Sequence, residues 1–133
     1  TDAFQLATGI LYQNAVQMFA LTPNNLTDTQ GFILDFMKKI PTTWDQTLYI
    51  DGYPGKYVVL ARRHGDTWYL AAVNAGKEIV KLKLDLDMFA GKIVSLYKDD
   101  KKGEPQLVTL KVKESGKVQL EILPQGGVVL VNN

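Results

Sequence analysis

A mainly β fold, an antiparallel β-sandwich of about eight strands preceded by two α-helices, is predicted by three observations. Apolar residues before Pro41 recur at three- and four-residue steps. Beyond Pro41 they recur at every second position, and turn signals cut that region at even spacing. No stretch supplies the crossover helices that a parallel sheet requires.

The first helix is expected from Phe4, Ala7, Leu11, Ala15 and Met18, flanked by Ile10 and Phe19, which form one broad apolar stripe. Its end is expected before Pro23, because the residue ahead of a proline avoids the helical region. Asn24-Asn25 reads as a turn. Thr27 and Gln30 have the spacing of a capping box. A second helix then carries Phe32, Ile33, Phe36, Met37 and Ile40 and closes at Lys38-Lys39, whose charges suit a helix C-terminus, and Pro41.

Strands follow. Leu82, Leu84 and Leu86 alternate with Lys81, Lys83, Asp85 and Asp87. Val108, Leu110 and Val112 alternate with Thr109, Lys111 and Lys113, and Val118, Leu120 and Ile122 with Gln119 and Glu121. Such alternation marks half-buried strands. Tyr57 to Ala61, Trp68 to Val73 and Val128 to Val131 are apolar at successive positions, as strands covered on both faces are. Turn signals lie at Asp51-Gly52, Pro54-Gly55, His64-Gly65-Asp66, Asn74-Ala75-Gly76, Ala90-Gly91, Lys102-Gly103, Ser115-Gly116 and Gln125-Gly126-Gly127. The organisation is thus a helical segment over 1–43 and a β-sandwich over 44–133, with no flexible linker between them.

The 133 residues suit one domain or a piece of a larger protein, and that length buries enough surface to fold without a disulfide or metal staple. The chain opens Thr1-Asp2-Ala3 directly into a helical pattern, as a segment of a longer polypeptide would. A net charge of +1, with no basic run interleaved with aromatics, argues against nucleic acid as a partner. No stretch has the length of a membrane span. With no cysteine, a thiol nucleophile, a disulfide framework and a thiolate metal site are excluded.

Few residues offer chemistry. His64, the single histidine, sits in a tight turn beside Asp66 with no Ser or Cys motif near it, and is expected to be a solvated turn residue. Lys98 to Glu104 superficially resembles a calcium loop, but its lysines and the missing Asp-x-Asp spacing oppose cation binding. Asp85 and Asp87 fall on one strand face, among lysines of an outer surface. No catalytic, cofactor or metal-ligating residue is therefore assigned. Trp44, Tyr49, Tyr53, Tyr57, Trp68 and Tyr69 are the aromatics on which a sugar ring could stack. Most belong to the core, and Trp44 and Tyr53, in loops, are the candidate substrate-binding residues.

Several blocks together resemble the end of a glycoside hydrolase family 97 enzyme. They are Gln5-Leu6-Ala7, Leu11-Tyr12 through Gln17-Met18, Pro23-Asn24-Asn25, Ile40-Pro41-Thr42-Thr43-Trp44-Asp45-Gln46-Thr47, Asp51-Gly52, Gly55-Lys56-Tyr57, Ala61-Arg62-Arg63, Gly65-Asp66-Thr67-Trp68-Tyr69 and Leu96-Tyr97-Lys98-Asp99. The chain departs from the family's pattern at Ala3-Phe4, Asn14-Ala15 and Leu21. The resemblance implies a bacterial periplasmic or secreted parent that hydrolyses α-glucosidic or α-galactosidic bonds. Its carboxylates and calcium would lie upstream, in a (β/α)8 barrel, with no cofactor in this chain. The helices would be the end of that barrel, and the sandwich a noncatalytic C-terminal accessory domain that packs on the barrel and self-associates. The alternative is an independent carbohydrate-binding module that uses the exposed aromatics. A helical stripe of Phe4, Leu11, Met18, Phe32 and Phe36 would be left bare unless the helices fold back on the sandwich or dimerise; folding back is favoured by the short Pro41-Thr42-Thr43 connection.

Overall fold

The computed structural model describes residues 1–132; Asn133, the last residue of the expected sandwich, lies outside the described residues. Three helices, α1 (Asp2–Leu11), α2 (Asn25–Asp28) and α3 (Gly31–Lys39), precede eight strands. These are β1 (Gln46–Tyr53), β2 (Tyr57–His64), β3 (Thr67–Asn74), β4 (Val80–Asp85), β5 (Ile93–Asp99), β6 (Pro105–Lys111), β7 (Lys117–Ile122) and β8 (Gly127–Asn132), with a 3₁₀ turn at Asp87–Phe89 between β4 and β5. One sheet has six strands in the order β1-β2-β3-β8-β5-β6, the other pairs β4 with β7, and all ladders are antiparallel.

The period-two pattern explains the layers. Val59, Leu70, Ala72, Val94, Val128 and Leu130 face the two-stranded sheet, where Leu82, Leu84, Val118, Leu120 and Ile122 close the main core around Phe89. The intervening residues Ala71 and Val129, with Tyr69, Val73, Tyr97 and Val131 at the margin, face Leu6, Ala7, Ile10, Ile33 and Phe36 of the helices. The central strands are thus covered on both faces, as their unbroken apolar runs require. The outward positions of β4 and β7, Lys81, Lys83, Asp85, Lys117, Gln119 and Glu121, are exposed.

The helices do fold back on the sheet. Leu6, Ala7 and Ile10 have no exposed surface, Phe36 is buried, and Phe4, Leu11 and Phe32 are half-buried. Gly127 permits the approach of α1 to β8, since a Cβ there would stand 2.8 Å from Phe4 Cα and 3.0 Å from Ala3 O. At the other end of α1, the Arg62 guanidinium on β2 is buried, and its Nη1 donates to Ile10 O (2.8 Å) and Tyr12 O (3.0 Å). Those carbonyls are among the acceptors a helix C-terminus leaves open.

Two helical expectations need correction. The first helix stops at Leu11 rather than running towards Pro23: Tyr12 is extended (φ −72°, ψ 138°), and Met18 is exposed instead of continuing the buried stripe. Thr27 and Gln30 do not form a capping box. Thr27 lies within the single turn of α2 and donates to Asn24 O (2.8 Å), whereas Gln30 precedes α3 without a side-chain cap. Among the strands, Val108 is exposed rather than half-buried, because β6 lies at the sheet edge.

Candidate interaction surfaces

The polar groups that looked chemical in sequence hold the chain's own backbone. Asp100 Oδ1 accepts from Lys102 N (2.8 Å) and Glu104 N (3.0 Å), so the loop that resembles a calcium site spends its carboxylate on its own turn. Those backbone donors lower the Asp100 pKa from the ordinary carboxylate value. His64 is exposed at the end of β2 and its Nδ1 lies 2.8 Å from Thr43 O, a geometry in which Nδ1 carries the proton. Asp45 Oδ2 accepts from Gly65 N (2.7 Å), closing the same turn.

Asp85 and Asp87 do not share a strand. β4 ends at Asp85, and Asp87 opens the 3₁₀ turn after Leu86, so the strand alternation that would align them has ended. Asp99 is the buried carboxylate. Its Oδ1 accepts from Ala3 N (3.2 Å) in the first turn of α1, where the helix dipole favours negative charge. Sequence reading missed Asp99, Arg62 and Asn74, whose Nδ2 lies within hydrogen-bonding distance of Glu78 O, Ile122 O and Leu123 O. Apart from Glu78, four residues beyond Asn74, the partners named for them are distant in the chain, so no local spacing announces them. Among the described residues, no group of three or more His, Asp or Glu side chains is placed to hold a metal ion.

The aromatic candidates separate. Trp44 is engaged on the helix side of the sheet, edge-on to Tyr69 (5.4 Å between centroids), with the Arg62 guanidinium 5.5 Å from its ring. Tyr69 and Tyr97 lie in the same cluster, Tyr97 4.9 Å from Phe36, and burial raises both phenol pKa values. Tyr53 is exposed at the β1–β2 hairpin beside a shallow hollow of about 210 Å³, and the Lys56 ammonium sits 4.7 Å from its ring centroid. Tyr49 is exposed and donates to Gly52 O (3.1 Å), and Tyr57 donates to Asp51 Oδ2 (3.3 Å). The structure does not bring Trp44 and Tyr53 into one site.

The two outer strands of the large sheet differ. β1 carries a register shift between Tyr49 and Asp51 that interrupts its ladder with β2. β6 pairs with β5 without a shift, and Gln106, Leu107, Val108 and Thr109, successive residues that point to alternate faces, are all exposed. Leu107 is 43% and Val108 38% exposed, and Ile93 on β5 adds to the apolar area. Beside β6 runs a groove of about 670 Å³ with a floor of Leu84, Leu110, Val112 and Val118 and a rim of lysines including Lys111 and Lys117. An open apolar strand edge is a template for pairing with another chain.

A sheet covered by helices on one face and a second sheet on the other, with its edge strand β6 open, defines an antiparallel β-sandwich domain. The chain belongs to the glycosyl-hydrolase 97 C-terminal, oligomerisation family, which matches residues 43–132. A solved β-arabinopyranosidase is 73% identical over 98% of this chain, with a TM-score of 0.96, so the packing of helices on the sheet is shared with that enzyme. A family 97 enzyme from Pseudoalteromonas sp. strain K8, solved with panose, is 28% identical with a TM-score of 0.86, again over 98% of the chain. A retaining α-galactosidase of Bacteroides thetaiotaomicron is 28% identical over 98% of the chain. The chain spans about a fifth of the length of these relatives: 21% of the first, 22% of the second and 20% of the third.

Proposed function

We propose that this chain is noncatalytic, that it joins copies of its parent enzyme through the β6 edge, and that the parent hydrolyses glycosides of the β-arabinopyranoside and α-galactoside type. The observation that carries the reading is the match of the whole sandwich to an oligomerisation family, in a chain whose β6 is unbulged and exposed on both faces. The noncatalytic role is supported by the engagement of Asp99, Arg62, Asn74 and Asp100 in backbone hydrogen bonds. The substrate class rests on the names of the relatives. A β-L-arabinopyranoside and an α-D-galactopyranoside share the configuration of their ring hydroxyls and anomeric carbon, and differ by the hydroxymethyl group on C5. One pocket geometry therefore serves both. The α-glucosides differ at C4 and form the contrasting substrate. The calcium implied by the family would be held by upstream residues of the barrel, to which residues 1–43 would be the closing segment.

The test is turnover of aryl β-L-arabinopyranosides, α-D-galactosides and α-D-glucosides by this chain and by the full-length polypeptide, with light scattering of both across a concentration series. The reading expects no turnover by the chain above a mock preparation. For the full-length polypeptide it expects turnover of the first two substrates and a mass above the monomer. Turnover by the chain alone overturns the noncatalytic role. Heat beyond dilution when galactosides or maltooligosaccharides are titrated at millimolar concentration would instead favour the carbohydrate-binding alternative, with Tyr53 as its exposed ring.

A further inference from the structure

The edge strand β6 leaves alternate backbone groups unpaired, and its ladder with β5 identifies which. Val112 N donates to Lys92 O (2.9 Å) at one end of that ladder, and Asp100 N to Glu104 O (2.8 Å) at the other. Bonded and non-bonded pairs alternate along an antiparallel ladder, so Gln106, Val108 and Leu110 turn their N–H and C=O groups to β5. Leu107, Thr109 and Lys111 turn theirs outward. Pro105 agrees with this phase: it faces Asp99 at a non-bonded position, where its missing N–H breaks no bond to β5. The side chains alternate too. Glu104, Gln106 and Val108 share the face of Leu110 and Val112, which pack in the main core, whereas Leu107 lies beside Tyr97 on the helix side.

Charge adds a direction. The groove beside β6 is rimmed by Lys83, Lys111, Lys113 and Lys117 against the single carboxylate of Asp85. The ion pairs among the described residues are Arg63–Asp45 and Lys81–Glu121, so neither these lysines nor the exposed Glu104 is engaged in one. An apolar floor under an excess of positive charge fits a partner strand that brings a carboxylate.

We propose that two copies pair β6 with β6, antiparallel, about a two-fold axis at Val108, and that Glu104 of each copy enters the lysine-rimmed groove of the other. This rests on the reading of β6 as the edge that joins copies, and it adds the symmetry, the register and the stoichiometry. Outward groups of the two strands meet only when the axis passes at a residue, not between two, which leaves Leu107, Val108 and Thr109 as centres. With Leu107 at the axis, Pro105 lies against Thr109 in the body of the ladder and cannot donate to it. With Thr109 at the axis, Glu104 is carried past the groove towards Glu114 of the other copy, like charge against like. With Val108 at the axis, Leu107 of each copy exchanges bonds with Thr109 of the other, and Pro105 falls opposite Lys111 at the ladder's end. Glu104 then lies opposite Val112, on the groove floor among the lysines. The register shift in β1 denies the other edge the same regular pairing. A two-fold contact is closed, so assembly through this domain stops at two.

The absence of cysteine from the chain makes a cross-linking scan clean. Gln106→Cys, Leu107→Cys, Val108→Cys, Thr109→Cys and Leu110→Cys are made singly in the full-length polypeptide and oxidised mildly, and the joined peptides are assigned by mass spectrometry. A non-bonded antiparallel pair places its Cα atoms roughly 4.5 Å apart, within disulfide range, whereas a shift of two residues along the strand exceeds it. Val108→Cys is therefore expected to cross-link to itself at least about fivefold faster than the other four, in a species of twice the monomer mass by light scattering. A maximum at Leu107 or Thr109 overturns the register and leaves β6 as the joining edge. No cross-link at any of the five positions, with a mass still above the monomer, overturns the underlying reading of β6 itself. A mass that keeps climbing with concentration overturns the closed pair. Glu104→Lys is expected to raise the dissociation constant about fivefold or more at low ionic strength, and less at high salt. An unchanged constant at low salt overturns the contact with the groove.

Discussion

Replacing Arg62 tests how the helices are fastened to the sheet. Its Nη1 serves two carbonyls, Ile10 O at 2.8 Å and Tyr12 O at 3.0 Å, where α1 ends. Hydrogen bonds from a charged donor contribute about 1.5–3 kcal/mol net each, so the two together contribute at most roughly 3–6 kcal/mol. Desolvation acts the other way. Arg62 is 2% exposed, makes no ion pair among those between described residues, and has its pKa lowered by burial. The contribution of this buried charge therefore falls in the lower part of that range. Arg62→Ala removes the donor, leaves the two carbonyls without it and opens a cavity beneath Trp44, with an expected net cost of about 3–5 kcal/mol. Arg62→Met fills most of the volume and removes the buried charge, so its cost should be smaller, about 1–3 kcal/mol, the deficit of the unpaired carbonyls. Urea unfolding of the 133-residue chain, followed by circular dichroism and tryptophan fluorescence, measures both variants. A cost below about 0.5 kcal/mol for Arg62→Ala, the range of ordinary surface changes, would refute the capping argument, and methionine costing more than alanine would refute the desolvation argument.

Gly127→Ala places a methyl 2.8 Å from Phe4 Cα and is expected to cost about 1–3 kcal/mol by urea unfolding, whereas Gly31→Ala, with nothing within 4 Å, should stay within about 0.5 kcal/mol. Leu107→Lys is expected to lower the mass of the full-length polypeptide in light scattering with little change in its melting temperature, and an unchanged mass would move self-association away from β6. Burial raises the pKa of Tyr69 and Tyr97, so the unfolded chain releases those protons first. The associated stability is complete below about pH 10, the ordinary phenol value, and is lost as pH rises through the folded values. Urea midpoints should therefore fall above that pH, and Tyr97→Phe should reduce the slope.

Where burial is decided by neighbours in the same strand, the sequence was readable. β4 and β7 alternate cleanly because one face lies on the core and the other in water, and β3 and β8 are apolar through their central residues because helices and the second sheet cover both faces. The same period misled at residues 12–19. Apolar residues placed for an outer surface have the spacing of a helix stripe, and nothing local distinguishes the two. The end of α1 is met by Arg62, more than fifty positions along the chain from the first carbonyl it binds, so that stop signal is absent from the segment itself. Val108 shows the same limit in a strand: its alternation is regular, but only the strand order shows that β6 has no further neighbour. Trp44 and Tyr53 looked alike as loop aromatics. Packing alone separates the ring held between Arg62 and Tyr69 from the one at the hairpin tip.

The absence of room for even a methyl group between α1 and β8 also has a mechanical meaning. β8 pairs with β5, and β5 with β6, so a continuous chain of close-packed, hydrogen-bonded elements runs from the first helix to the open edge. No pliable link interrupts it. A body joined rigidly to α1 would therefore be aimed, not merely tethered: its orientation would be transmitted through the sheet to whatever pairs at β6, and copies joined there would hold their attached bodies at one fixed mutual angle.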